Sequence, residues 1–114
     1  MELSILRIYT TISARVDSDQ LTFWQRLFNN SLSSFLLKKA REAGVEQAII
    51  QRIPGGYLKG KQLAFDMSEV APPNLPQCLE LIDEKEKLVA FVAKNRKQLD
   101  GCKVVLFNAV EVLK

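Results

Sequence analysis

The chain has 114 residues, 47% of them apolar and 25% charged, with a formal net charge of +3, two cysteines and no histidine. One domain of this length buries roughly two-thirds of its surface without staples, and no apolar run approaches the ~20 residues of a membrane span. The missing imidazole excludes Ser-His and Cys-His nucleophile pairs and histidine metal ligands. So mild a positive charge suits small anions better than nucleic acid or a membrane surface, which need a concentrated basic face. MELSILRIYTT at the start carries an early acid and no signal-peptide layout, so a cytoplasmic protein is expected.

Leu6, Ile8 and Ile12 alternate with Arg7, Tyr9 and Thr11, the period-2 signature of a half-buried strand. After the turn residues RVDSDQ come two helical segments, one carrying Phe23, Trp24, Leu27 and Phe28, the other Leu32, Leu36, Ala40 and Ala43. Asn30 or Ser31 is the N-cap of the second and Gly44 its stop. The aromatics of the first segment are read as core or interface rather than a base-stacking platform. Ala48, Ile49, Ile50 and Ile53 mark a second strand. Residues 54–76 then read as one long excursion punctuated by Gly, Pro, Asn and Ser, a length that in a compact domain tends to be functional or disordered.

QCLELI is the third strand, with Cys78, Glu80 and Ile82 opposite Leu79 and Leu81. Asp83 caps a helix whose first turn carries Glu84 and Glu86, where acids suit the positive end of the dipole. Its buried stripe is Leu88, Val89, Phe91, Val92 and Leu99, and Gly101 ends it. Lys94, Arg96 and Lys97 are a solvated helix end. KVVLFNAVEVLK is a last strand, apolar on both sides at its start.

The order is therefore β-α-β-β-α-β, an α+β ferredoxin-like sandwich with both helices on one face of an antiparallel sheet and a long loop between strands two and three. In the usual 4-1-3-2 strand order Cys78 and Cys102 are about 10 Å apart, too far for a disulfide. The second sheet face keeps apolar residues such as Ile5, Tyr9, Val105 and Phe107, and self-association is the economical use of them.

The best candidate for a small-molecule site is RIPGGYLKGKQ, residues 52–62, where glycines free the backbone and lysines draw anions. Gly55, Gly60 and Lys61 fit the phosphate-loop spacing G-x-x-x-x-G-K, but Gln62 stands where a Ser or Thr must hold magnesium. Leu63, Ala64, Met67 and Val70 offer at most two helical turns before Pro72 and Pro73, too little for the helix a phosphate loop feeds. The spacing is accidental. What remains is a basic, glycine-rich loop with Arg52, Gly55, Gly56, Tyr57, Lys59 and Lys61 as the ligand-binding candidates. Arg52 would grip a phosphate or carboxylate and the lysines would add point charge; the same residues also describe a solvated loop.

LRIYTTI near the start, LKKAREAGVEQAIIQR in the middle and NLPQCLELIDEKEKL later resemble the small PII-like proteins over nearly the whole chain. The last stretch is close to the pattern LP-x-x-x-E-x-x-D-E-E-E-K-[IL]. The resemblance implies a homotrimer of ferredoxin-like units of the nitrogen-regulatory PII superfamily. It implies effectors such as adenine nucleotides or small anions in clefts between subunits, and a long T-loop that docks on a partner protein. Residues 54–76 occupy the T-loop position. Of the family stretch R-G-x-x-G-F-G, Arg52, Gly56 and Tyr57 match, while Ile53 and Leu58 replace glycines. The nucleotide signature T-G-x-x-G-D-G-K before the last strand is replaced by LDGCK, residues 99–103.

A regulatory, non-enzymatic protein is the favoured reading, with no required cofactor, no metal, no nucleic acid and no membrane insertion. A ligand-free interaction module of the same fold, or a small enzyme of unknown reaction, is the alternative. An acylphosphatase-type enzyme needs a glycine-rich loop after strand one, where this chain has ISARVDSD. An RNA-recognition module needs aromatics on the central strands, and QCLELI has none.

Overall fold

The computed structural model describes residues 2–16, 31–67 and 71–114. Phe23, Trp24, Leu27, Phe28, Asn30 and Val70 lie outside the described residues. The elements are β1 (Leu3–Thr11), α1 (Leu32–Glu42), β2 (Gln47–Arg52), the short strands β3 (Gly55–Gly56) and β4 (Ala64–Phe65), β5 (Pro76–Asp83), α2 (Lys85–Lys94) and β6 (Lys103–Val110). Four strands make one antiparallel sheet in the order β2-β5-β1-β6, while β3 and β4 pair only with each other. Setting that hairpin aside, this is the 4-1-3-2 order of a ferredoxin-like α+β fold.

Alternation along β1 decides the two faces. Leu6 and Ile8 are at most 2% exposed and register against Leu81 and Leu79 of β5, themselves at most 1% exposed. Leu32, Leu36 and Ala40 of α1 and Leu88 and Phe91 of α2 close over these four, with Ala48, Ile50, Val104 and Leu106 packed at the margins. Burying each of the large side chains stabilises the fold by about 1.5–3 kcal/mol relative to leaving it in water. This one core holds both helices on the same face of the sheet.

The helix ends show where local chemistry and spacing part company. Ser31 is the N-cap of α1, with extended backbone (φ −61°, ψ 130°). At the C-terminus the Val45 amide donates to the Ala40 carbonyl and the Gly44 amide to that of Arg41, with Gly44 at φ +75°. That is a Schellman cap, and it leaves Ala43 exposed at the C-cap rather than on the buried stripe. In α2, Val89 is 50% exposed because it stands one residue, about 100°, from Leu88. The helix stops at Lys94, and Leu99 reaches the core from the turns at 95–101, not from a helical stripe. Glu84 is the N-cap itself, so Glu86 alone is the first-turn acid.

Asp83, expected as the cap of α2, stands one residue before its N-cap and serves instead as a tie between elements. Its carboxylate accepts the amide N–H of Glu84 at 2.6 Å and that of Glu46 at 2.8 Å, and pairs with Lys87 at 3.4 Å. Lys87 also donates to the Gly44 carbonyl at 3.1 Å. Burial opposes ionisation of Asp83, and the two amides and the lysine outweigh it, holding the carboxyl below its ordinary range. The end of β5, the start of α2 and the α1–β2 connection are thereby tied at one point.

The other face of the sheet carries no helix among the described residues. Arg7 lies across it, its Nε donating to Glu80 at 2.9 Å and its guanidinium 4.9 Å from the centre of the Phe107 ring. Ile49 and Phe107 remain 46% and 41% exposed there. Cys78 is buried on β5, and both cysteines are free thiols.

Candidate functional site

The excursion between β2 and β5 is not structureless. Gly55 pairs with Phe65 and Gly56 with Ala64, and the Asp66 amide donates to the Pro54 carbonyl at 2.8 Å. Ala64 thus belongs to a strand, not to the helical turns that Leu63, Ala64 and Met67 suggest, and Pro76 opens β5. A Cβ at Gly55 would stand 2.7 Å from Cδ1 of the half-exposed Phe65 ring, which would have to swing aside to admit it. The hairpin turns through Gly60 at φ +79°, a left-handed conformation that glycine adopts without penalty, and the Lys61 amide donates to the Leu58 carbonyl at 2.9 Å. Asn74 ties the far limb by donating to the Gln62 carbonyl at 2.9 Å.

The hairpin tip meets the body of the domain at a groove of about 510 Å³. Leu58, Lys59 and Lys61 line one side. Tyr9, Thr10 and Thr11 at the end of β1, Arg15 after it, and the run Asp100, Gly101, Cys102, Lys103 entering β6 line the other. Arg15, Lys59, Lys61 and Lys103 face one carboxylate, that of Asp100, among the described lining residues. Arg15 is braced by donating from Nη1 to the carbonyls of Ile12 at 3.1 Å and Ala14 at 3.2 Å. Burial raises the Cys102 thiol above its ordinary range, against the opposing hydrogen bond from Thr10. It is a neutral thiol near pH 7, unsuited to nucleophilic attack.

The six residues singled out in the sequence are divided by the fold. Lys59 and Lys61 line the groove. Gly55 and Gly56 form β3, and Tyr57, just after it, is 68% exposed. Arg52 is turned away: its Nε and Nη2 each stand 2.7 Å from Oδ2 of Asp66. It lines a separate hollow of about 250 Å³ with Ile12, Ile53, Ala71, Leu75, Pro76 and Gln77. Sequence reading missed Arg15, Lys103 and Asp100 as groove residues. The available signal was LDGCK, which occupies the place of a nucleotide signature and brings Asp100 and Lys103 to the groove despite lacking that signature's glycines.

The phosphate-loop spacing ends at Lys61 and is followed by β4, where such a loop needs a helix N-terminus. Among the described residues no three His, Cys, Asp or Glu side chains gather as a metal site, and no helix is long and apolar enough to cross a membrane.

A sequence profile of the DUF190 family, described as "Uncharacterized ACR", matches residues 3–112. The chain belongs to the DUF190 family. A UPF0166 protein of Aquifex aeolicus (strain VF5) is 32% identical over 79 residues, 69% of this chain and 73% of the relative. Among solved structures, a PII-like signalling protein from Thermus thermophilus aligns over 95% of this chain and 88% of its own, with TM-score 0.52 and 13% identity. A nitrogen-regulatory PII-like protein from Thiomonas intermedia K12, bound to ADP, AMP and bicarbonate, aligns over 100% of this chain and 91% of its own, with TM-score 0.55 and 13% identity. At such identities the likeness is one of fold, so this DUF190 protein has a PII-like, ferredoxin-like architecture.

Proposed function

We propose that this DUF190 protein is a PII-like regulatory protein of the cytoplasm that binds a small anionic effector, an adenine nucleotide or a small anion, in the basic groove. It then acts on a partner protein through the hairpin. The observation that carries this reading is the convergence of Lys59 and Lys61 from the hairpin with Arg15 and Lys103 from two other chain segments, opposed by Asp100 alone among the described lining residues. Four cations lining one groove suit an anion between them. Lys59 and Lys61 are the direct contacts. Arg52, Gly55, Gly56 and Tyr57 complete the ligand-binding unit as the foot of the hairpin that carries them.

Oligomerisation belongs to the same proposal. The sheet face opposite α1 and α2, with Ile5, Ile49, Ile82, Val105 and Phe107, is the contact between copies in a homotrimer, and the groove opens toward a neighbouring subunit. Binding rather than catalysis is proposed because the fold is that of PII-like signalling proteins. ADP, AMP and bicarbonate, held by the Thiomonas protein of the same fold, are the first effectors to try.

Native mass spectrometry of the freshly purified protein, followed by calorimetric titration with ADP, tests the reading. A trimer binding ADP is expected, and Lys59→Gln, Lys61→Gln and Lys103→Gln should each weaken binding about fivefold, the equivalent of losing about 1 kcal/mol, as for a charge pair open to water. Lys94→Gln, outside the groove, should bind as the wild type does. Absence of binding to ADP, AMP and bicarbonate alike, or equal loss in all four variants, would overturn it.

A further inference from the structure

We infer that Arg52 and Asp66 are a latch: they position the hairpin, and through it Lys59 and Lys61, over the basic groove, and Arg52 does not itself touch the effector. This rests on the effector reading just given and names what sets the site's geometry.

Arg52 is the last residue of β2 and Asp66 follows β4, so the pair joins the main sheet to the limb that returns from the tip. The guanidinium directs both Nε and Nη2 at Asp66 Oδ2, each at 2.7 Å, and the Asp66 side chain is only 12% exposed. Arg52 is 79% exposed, so water screens the pair in part, but the enclosed Asp66 carboxylate still loses its charged donor when Arg52 is cut. The backbone agrees with the side chains. The Asp66 amide donates to the Pro54 carbonyl at 2.8 Å, and the Phe65 ring lies on Gly55. The ribbon needs such ties, because β3 and β4 contribute two residues each and a ribbon that short is marginal by itself; Asn74, bonded to the Gln62 carbonyl at 2.9 Å, holds the limb nearer the tip. With the foot fixed by Arg52 and Asp66, the turn at Gly60 delivers Lys59 and Lys61 to the groove. Arg52 lines the other hollow, so its charge is spent on Asp66 and not on the anion.

The two roles open to Arg52 differ in sign. If it were the effector's ligand, Asp66 would compete for it, and Asp66→Asn would tighten binding while Arg52→Gln weakened it. As a latch, either substitution releases the hairpin and both weaken binding. The experiment combines hydrogen exchange of the ligand-free protein with titration by ADP, for R52Q, D66N, R52K and the double variant R52Q/D66N. Exchange at Asp66 and the β3–β4 amides should accelerate about five- to tenfold in each single variant, as loss of a charged hydrogen bond allows. ADP affinity should fall by a similar factor, and the double variant should match the singles because one interaction is being removed twice. R52K, which keeps the charge but loses the fork, should behave like R52Q. Tighter ADP binding by D66N, or hairpin exchange unchanged in R52Q and D66N, would overturn the latch. Failure of the effector reading shows separately, as ADP binding that ignores K59Q and K61Q, while the exchange data still decide the latch.

Discussion

Removing the Asp83 carboxylate should loosen three elements at once. Asp83→Ala takes away the acceptor for the Glu84 and Glu46 amides, at 2.6 and 2.8 Å, and the partner of Lys87 at 3.4 Å. The side chain is 8% exposed, so water replaces it poorly. Losing a buried acceptor costs about 1–3 kcal/mol per donor left unsatisfied, and the edge positions of these two amides put the total at about 2–3 kcal/mol. That is a large share of the roughly 5–15 kcal/mol that holds a domain together. Acid dependence follows from the same contacts. The folded carboxyl is held below its ordinary value of 3.8 by the amides and lysine that outweigh its burial. Its contribution to stability is therefore fully present above that value and is lost as pH falls through the lower, folded one. Asp83→Asn resembles the protonated wild type, so the gap between the two should narrow as pH drops below about 4. Urea unfolding at pH 7 and at several lower values measures this. A D83A variant within about 0.5 kcal/mol of wild type at pH 7, on the order of an ordinary surface substitution, would refute the reasoning. So would a D83N gap independent of pH.

Two further outcomes concern other parts of the fold. Gly44→Ala forces a side chain into the left-handed conformation at φ +75° that closes α1, and should cost about 1 kcal/mol in urea unfolding, with no effect if the Schellman cap does not form in solution. Phe107→Glu places a charge on the sheet face opposite α1 and α2 and should convert the proposed trimer to monomers in sedimentation equilibrium; an unchanged mass would move the subunit contact elsewhere.

The sheet and both helices on it were legible because their signals are local. Leu6 and Ile8 alternate with polar neighbours, Leu32, Leu36 and Ala40 recur at helical spacing, and Gly44 sits where the chain must turn left-handed. Errors arose where tertiary packing replaces periodicity. Leu99 reaches the core from a turn, and Val89 falls off the stripe, although both are apolar residues in the right neighbourhood. The hairpin was hidden for a different reason: two glycines facing Ala64 and Phe65 have no alternation to read, and the close contact at Gly55 is a ring lying on a missing side chain. At the candidate site, the lysines of the tip could be named from composition, but not their company. Arg15 and Lys103 join them through topology, and the pairing of Arg52 with Asp66, fourteen residues on, carries no motif.

The location of the effector site is tested most directly by hydrogen exchange with and without saturating ADP. Protection is expected together at the end of β1, at residues 58–61 and at residues 100–103, the three segments that meet at the groove. Protection confined to the hollow around Arg52 and Leu75, or to the α1–β2 edge, would contradict that location.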